Sequence, residues 1–154
     1  MQNFKNKNFT TCVLTADPEC DFRNNGRNSH KTEISFFCGH AQECELVGNR
    51  QALQKAKQVV EQDYAAVGIQ EELGASIELY ERVIPQFFHG AKKMYDENVA
   101  KGPMMHKTSH DYVPQEVKDV LHRNMSVDIE FYEFVRARFY THLDFYKIPH
   151  SASG

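Results

Sequence analysis

Apolar residues recur at helical spacing along most of this chain, and that pattern sets the expected elements. Ala52, Ala56, Val59 and Val60 fall on one face of a helix that should begin at Asn49, a good N-cap, and end near Asp63. The run Tyr64 to Ile69, with Ala-Ala-Val-Gly-Ile at its heart, reads as a short buried strand. A second helix is expected from Glu71 to Ile84, with Leu73, Ile77, Tyr80 and Ile84 on one face. Glu71 and Glu72 suit the positive end of its dipole. Pro85 breaks or restarts that helix, and Gln86–Asp96 reads as another, with Phe87, Phe88, Ala91 and Tyr95 turned inward. Pro114 opens a helix over Gln115–Arg123. The last and longest runs from about Val127 to Tyr146, with Tyr132, Val135, Phe139, Leu143 and Tyr146 in one stripe. Phe131, Phe134 and Phe145 widen that stripe.

Elsewhere the pattern is weaker. The first thirty-odd residues are polar and turn-rich, with a turn at Asn24-Asn25-Gly26, and Ile34–Phe37 is a short apolar run leading into Cys38. From Glu97 to Val113 there is no clean period, and Gly102-Pro103 marks a loop. The sum is mostly helix with one or two short strands. One or two isolated strands do not make a stable sheet. The strand at Ala65–Ile69 therefore calls for partners that this chain barely supplies, and the chain reads as a piece of a larger domain.

Composition agrees with a folded piece. At 154 residues, with 11 Phe and 7 Tyr, the chain can build one core. A net charge of −3 argues against a nucleic-acid binder but not against a local anion site. No apolar run approaches the roughly 18 residues of a membrane span. Met1 to Phe9 is Asn/Lys-rich and lacks an apolar signal region, which by itself predicts a soluble chain outside the secretory route.

The cysteines point the other way. They fall in two local pairs, Cys12 with Cys20 and Cys38 with Cys44, the second spanning Gly39, which can take positive φ. Spacing leaves three readings open: two local disulfides, four free thiols, or a zinc site with His30 or His40. Zinc hooks are usually tighter than these spacings. Sequons at Asn8-Phe9-Thr10 and Asn124-Met125-Ser126 lean toward a lumenal context. The conflict with the N-terminus resolves if the chain is a fragment.

Candidate chemistry is sparse. There is no Walker-type or dinucleotide loop, no Gly-x-Ser-x-Gly elbow and no His-Glu-x-x-His motif. The eight histidines do not recur at metal-ligand spacing on an expected helix, so no metal is expected. Met105-His106-Lys107-Thr108-Ser109-His110 is the best anion-site candidate, since a Lys beside hydroxyls and backbone N–H groups can hold a phosphate. The same segment also reads as a solvated polar loop. Lys92 and Lys93 read as an exposed helix face.

Four stretches in register carry a resemblance. Ser35-Phe36-Phe37-Cys38-Gly39-His40-Ala41-Gln42-Glu43-Cys44 resembles the Phe-Phe-Cys-Gly signature of the heparan sulfate and uronyl 2-O-sulfotransferases. Val67-Gly68-Ile69-Gln70-Glu71-Glu72-Leu73 resembles that family's strand-to-helix segment. Ile84-Pro85-Gln86-Phe87-Phe88-His89-Gly90-Ala91 and Glu130-Phe131-Tyr132-Glu133-Phe134 continue it, over roughly Phe9 to Tyr146. The divergent loops point toward the insect Pipe branch.

The resemblance implies the C-terminal, mostly helical half of an α/β, P-loop-like sulfotransferase domain, here residues 9–147. Before it stands a polar segment, 1–8, and after it a disordered tail, 148–154. It implies transfer of sulfate from 3′-phosphoadenosine 5′-phosphosulfate, a co-substrate rather than a resident cofactor, to the 2-hydroxyl of a uronic acid. The acceptor would be a heparan- or dermatan-type glycosaminoglycan, and the setting the lumenal side of the Golgi membrane. It pairs Cys12 with Cys20 and Cys38 with Cys44. It places Tyr95, Lys107, Thr108 and Ser109 at the nucleotide, His106 on the substrate side, and relatives in trimers. The family's phosphosulfate loop, catalytic histidine base, 3′-phosphate ligands and anchor would all lie upstream, so no catalytic residue is assigned here and the chain alone is expected to be inactive. The rival readings are a non-enzymatic helical interaction module of the same descent and a cytosolic Cys/His metal-binding protein.

Overall fold

The computed structural model describes residues 7–20, 32–100 and 112–150. The Asn24-Asn25-Gly26 turn, the Gly102-Pro103 loop and the Met105–His110 segment lie outside the described residues. The elements are α1 (Phe9–Leu14), α2 (Glu33–Cys38), α3 (Arg50–Gln62), α4 (Leu73–Val83), α5 (Pro85–Phe88), α6 (Ala91–Ala100), α7 (Gln115–Asn124) and α8 (Ser126–Tyr146). They fall into two compact units, one within Met1–Val59 and His110–Tyr132, the other within Val60–Ser109 and Glu133–Gly154.

In the first unit, α1 was not anticipated: its six residues lack a periodic apolar stripe, and its start is fixed by a cap. The Asn8 carboxamide accepts from Thr11 N–H at 3.1 Å. α1 and α7 build a small core of Cys12, Val13, Cys20 and Val117, lined by Val113, Val120 and Leu121. α3 starts where expected. Asn49 Oδ1 accepts from Gln51 N–H at 2.8 Å, and Asn49 Nδ2 donates to the Glu43 carbonyl at 2.9 Å, tying the helix start to the 3-10 turn Gln42–Glu45. Ala52, Leu53 and Ala56 are completely buried, and the Phe37 and Phe131 rings lie 5.3 Å apart. Lys57 and Arg50 both reach the Glu130 carboxylate, at 2.9 and 2.7 Å.

In the second unit, Val60, Leu79, Phe139 and Leu143 are completely buried, with Val67, Ile69, Val135 and Ile148 nearly so. The expected strand is corrected here. Ile69 is extended (φ −119°, ψ 147°), but no β-strand is formed among the described residues, so these are mostly helical without the one or two strands expected. The reason is local: a side chain of α4, not a neighbouring strand, satisfies the Ile69 backbone.

The helix expected at Gln86–Asp96 is two helices. It breaks at His89-Gly90, where Gly90 takes φ +77°, a conformation costly for residues with a Cβ. Phe87 consequently points outward, 80% exposed, whereas Phe88 packs on Tyr80 with ring centroids 5.2 Å apart. On α8 the buried stripe is Phe131, Val135, Phe139 and Leu143, four residues apart. Tyr132 and Phe145 lie off that line and are exposed, contrary to expectation. Ile148, assigned above to the tail, is buried, and its N–H donates to the Leu143 carbonyl at 2.9 Å. No helix among the described residues is long and apolar enough to cross a membrane.

Candidate functional site

The segment that resembles a strand-to-helix junction is held by its own helix. Ser76 Oγ accepts from Ile69 N–H at 3.0 Å and donates to the Ile69 carbonyl at 2.9 Å. Ser76 is buried, so both bonds are shielded from water. Gly68 permits this approach. A Cβ there would stand 2.6 Å from both Ser76 Cβ and the Tyr80 hydroxyl. Burial raises the Tyr80 phenol above its ordinary value, and a hydrogen bond from the Gly68 backbone acts against that rise.

α4 also positions α6, which carries the expected nucleotide contact Tyr95. A Cβ on Gly74 would meet Tyr95 Cε1 at 3.3 Å, so the glycine lets the half-buried Tyr95 ring lie close against α4. Two turns of helix further on, the Glu81 carboxylate accepts from Gly90 N–H at 2.7 Å and from Lys92 N–H at 3.0 Å. These are orphan donors at the start of α6. Bonds from Lys92 and Gly90 hold the Glu81 carboxyl below the usual carboxylate range. The α6 N-terminus is therefore already filled by an anion from the protein itself. Lys92 is occupied too, with Nζ 2.6 Å from an Asp96 oxygen.

A separate open cleft of about 620 Å³ lies where α3 ends, walled on the α8 side by Arg138, Thr141, His142 and Phe145. The Arg138 guanidinium faces the carbonyls of Glu61 and Tyr64, at 3.4 and 3.5 Å, and so places positive charge at the negative end of α3. Burial first, then the Arg138 charge, pushes the His142 imidazole below its ordinary value. Its Nδ1 is buried without a hydrogen-bond partner among the described residues. None of the histidines has been assigned as a base, and the cleft supplies no reason to change that.

Both cysteine pairs are disulfides, Cys12–Cys20 and Cys38–Cys44, with Cα–Cα distances of 5.7 and 5.5 Å, in the ordinary range. Gly39 takes φ +104° between the second pair, as its place in a short loop required. These bonds use all four cysteines, which overturns the zinc reading and the free-thiol reading. No cluster of three metal-ligating side chains occurs among the described residues.

Of the other expected site residues, His106, Lys107, Thr108 and Ser109 lie outside the described residues. Sequence reasoning missed Ser76, Glu81 and Arg138. Glu81 stands nine residues before Gly90, across a helix break, so no spacing rule finds it. Ser76 could have been suspected, as a polar residue on the buried face of α4.

No family model matches the chain. Curated relatives do. The uronyl 2-sulfotransferase homolog pip of Drosophila melanogaster is 33% identical over 145 residues, covering 90% of this chain and 28% of its own length. Heparan sulfate 2-O-sulfotransferase 1 of Gallus gallus and of Homo sapiens are each 34% identical over 138 residues, covering 86% of this chain and 36% of their own length. The chain thus spans about a third of the relatives it matches. Over 86 to 90% of its length, then, the chain is similar to heparan sulfate and uronyl 2-O-sulfotransferases.

Proposed function

We propose that this chain is the distal part of a uronyl 2-O-sulfotransferase that moves sulfate from 3′-phosphoadenosine 5′-phosphosulfate to the 2-hydroxyl of a uronic acid in a heparan- or dermatan-type glycosaminoglycan. The observation that carries this reading is the homology itself, which covers 86 to 90% of the chain. Two disulfides support a lumenal, Golgi setting, because such bonds persist in oxidising compartments. Such an enzyme would have a P-loop-like fold, to which this chain contributes mostly helices. The sulfotransferase is a glycoprotein in this reading and a homo-oligomer, the trimer that the resemblance implies.

Tyr95, Lys107, Thr108 and Ser109 are the proposed nucleotide contacts, and His106 a substrate contact. A lysine beside two hydroxyls supplies charge and donors to a phosphate. Sulfuryl transfer also needs a base within hydrogen-bond reach of the acceptor hydroxyl and donors aimed at the developing charge. We assign neither role to a residue of this chain, which alone transfers no sulfate.

Two measurements test the reading. Isothermal titration of this chain with adenosine 3′,5′-bisphosphate should give no micromolar binding. The product of the coding sequence extended upstream of Met1 should yield 2-O-sulfated disaccharides from heparan or dermatan sulfate. A longer chain that binds no nucleotide and transfers no sulfate would leave the non-enzymatic helical module as the correct description.

A further inference from the structure

We propose that Asn8 carries an N-linked glycan, and that the fold accepts it there because the cap of α1 uses the other atom of the same carboxamide. The inference rests on the lumenal reading above. Two independent observations lead to it. The first is the pair of disulfides, which use every cysteine in the chain and belong to the compartment in which N-glycans are added. The second is the geometry of the sequon Asn8-Phe9-Thr10.

Asn8 is exposed and extended, with φ −68° and ψ 123°, at the boundary where α1 begins. Its Oδ1 accepts from Thr11 N–H at 3.1 Å and from the Thr11 hydroxyl at 3.4 Å. Glycosylation takes place at Nδ2. That nitrogen attacks C1 of the first sugar of a polyprenyl-pyrophosphate-linked oligosaccharide under a membrane transferase. The C1–N bond forms, the C1–O bond to pyrophosphate breaks, one amide proton leaves and the lipid pyrophosphate departs. The product is a secondary amide that keeps Oδ1 as an acceptor, so glycan and cap coexist. The neighbouring Phe9 is 45% exposed, so the start of α1 is open to solvent at the sequon.

The second sequon supplies the contrast. Asn124 is half-buried and ends α7, and the chain passes into α8 through Met125 alone. Met125 N–H donates to the Leu121 carbonyl at 2.8 Å, and Ile129 N–H to the Met125 carbonyl at 2.9 Å, so Asn124 sits inside a tight helical joint with no extended residue of its own.

The test expresses this chain behind a cleavable secretion signal in a glycosylating eukaryotic cell, and maps both the secreted and the retained lumenal pools by peptide mass spectrometry before and after peptide N-glycosidase. Wild type should carry a glycan on Asn8. The whole glycan mass should vanish in Asn8→Asp, which keeps the capping acceptor, and in Thr10→Ala, which leaves Asn8 in place. It should persist in Asn124→Gln. An unmodified Asn8 in both pools overturns the proposal, whether or not Asn124 is filled. Because the signal imposes the compartment, that result would leave the lumenal reading standing. Reduced cysteines in protein taken from its native source would sink the latter instead.

Discussion

The Ser76 hydroxyl grips Ile69 twice, accepting from its N–H at 3.0 Å and donating to its carbonyl at 2.9 Å. One side chain thereby does for an extended residue what a neighbouring strand would do in a ladder. Ser76→Ala leaves a buried donor and a buried acceptor unmet, each costing about 1–3 kcal/mol. We expect a loss of about 2–4 kcal/mol by denaturant unfolding. Gly68→Ala should cost about 1–3 kcal/mol by overpacking, since its Cβ would press on Ser76 and Tyr80. Unchanged midpoints in both variants would show that the latch carries no stability.

The two disulfides close loops with sequence separations of 8 and 6. In the loop-entropy picture, removing either as a double alanine variant should cost about 2 kcal/mol. Non-reducing peptide mapping should find these two local links and no crossed pairing.

His142 makes the stability of its unit depend on pH with a definite sign. Its folded value lies below that of an exposed histidine, about 6.5. The unfolded chain therefore binds its proton first as pH falls. The contribution is complete above about 6.5 and is lost downward from there toward the lower folded value. Arg138→Leu removes the second cause of the depression, so NMR should find His142 titrating at higher pH in that variant. A curve unmoved by the substitution would separate the two residues.

Glu81 works at the acid end. Its carboxyl is held low by the Lys92 and Gly90 N–H groups, so its stabilising contribution is present above the ordinary carboxylate value, about 4.3. It fades as pH falls through the lower folded value. Glu81→Gln should lower the melting temperature at neutral pH and flatten its acid dependence; parallel curves for the two proteins would count against the clamp.

For the nucleotide reading, Lys107→Ala in the longer, active chain should weaken binding of adenosine 3′,5′-bisphosphate at least about tenfold, the loss expected for one charge-assisted bond. Titration calorimetry checks it. Equal affinity in the variant removes Lys107 from the site.

By itself the sequence determined those features that depend on neighbours along the chain. Period and caps placed α3, α4, α7 and α8 within a few residues, and the Phe-Phe-Cys-Gly stretch with its companions carried the resemblance to the sulfotransferases. Short loops made local disulfides a live reading, without choosing it over thiols or zinc. Tertiary structure decided whatever depends on residues meeting across the chain. It left no strand at Ala65–Ile69, where Ser76 latches the extended Ile69, and it split the helix after Pro85 so that Glu81 could cap α6. It also moved Phe87, Tyr132 and Phe145 outward. Hydrophobic period cannot foresee these outcomes, because it records which residues prefer burial but not which polar group will arrive to satisfy a buried backbone.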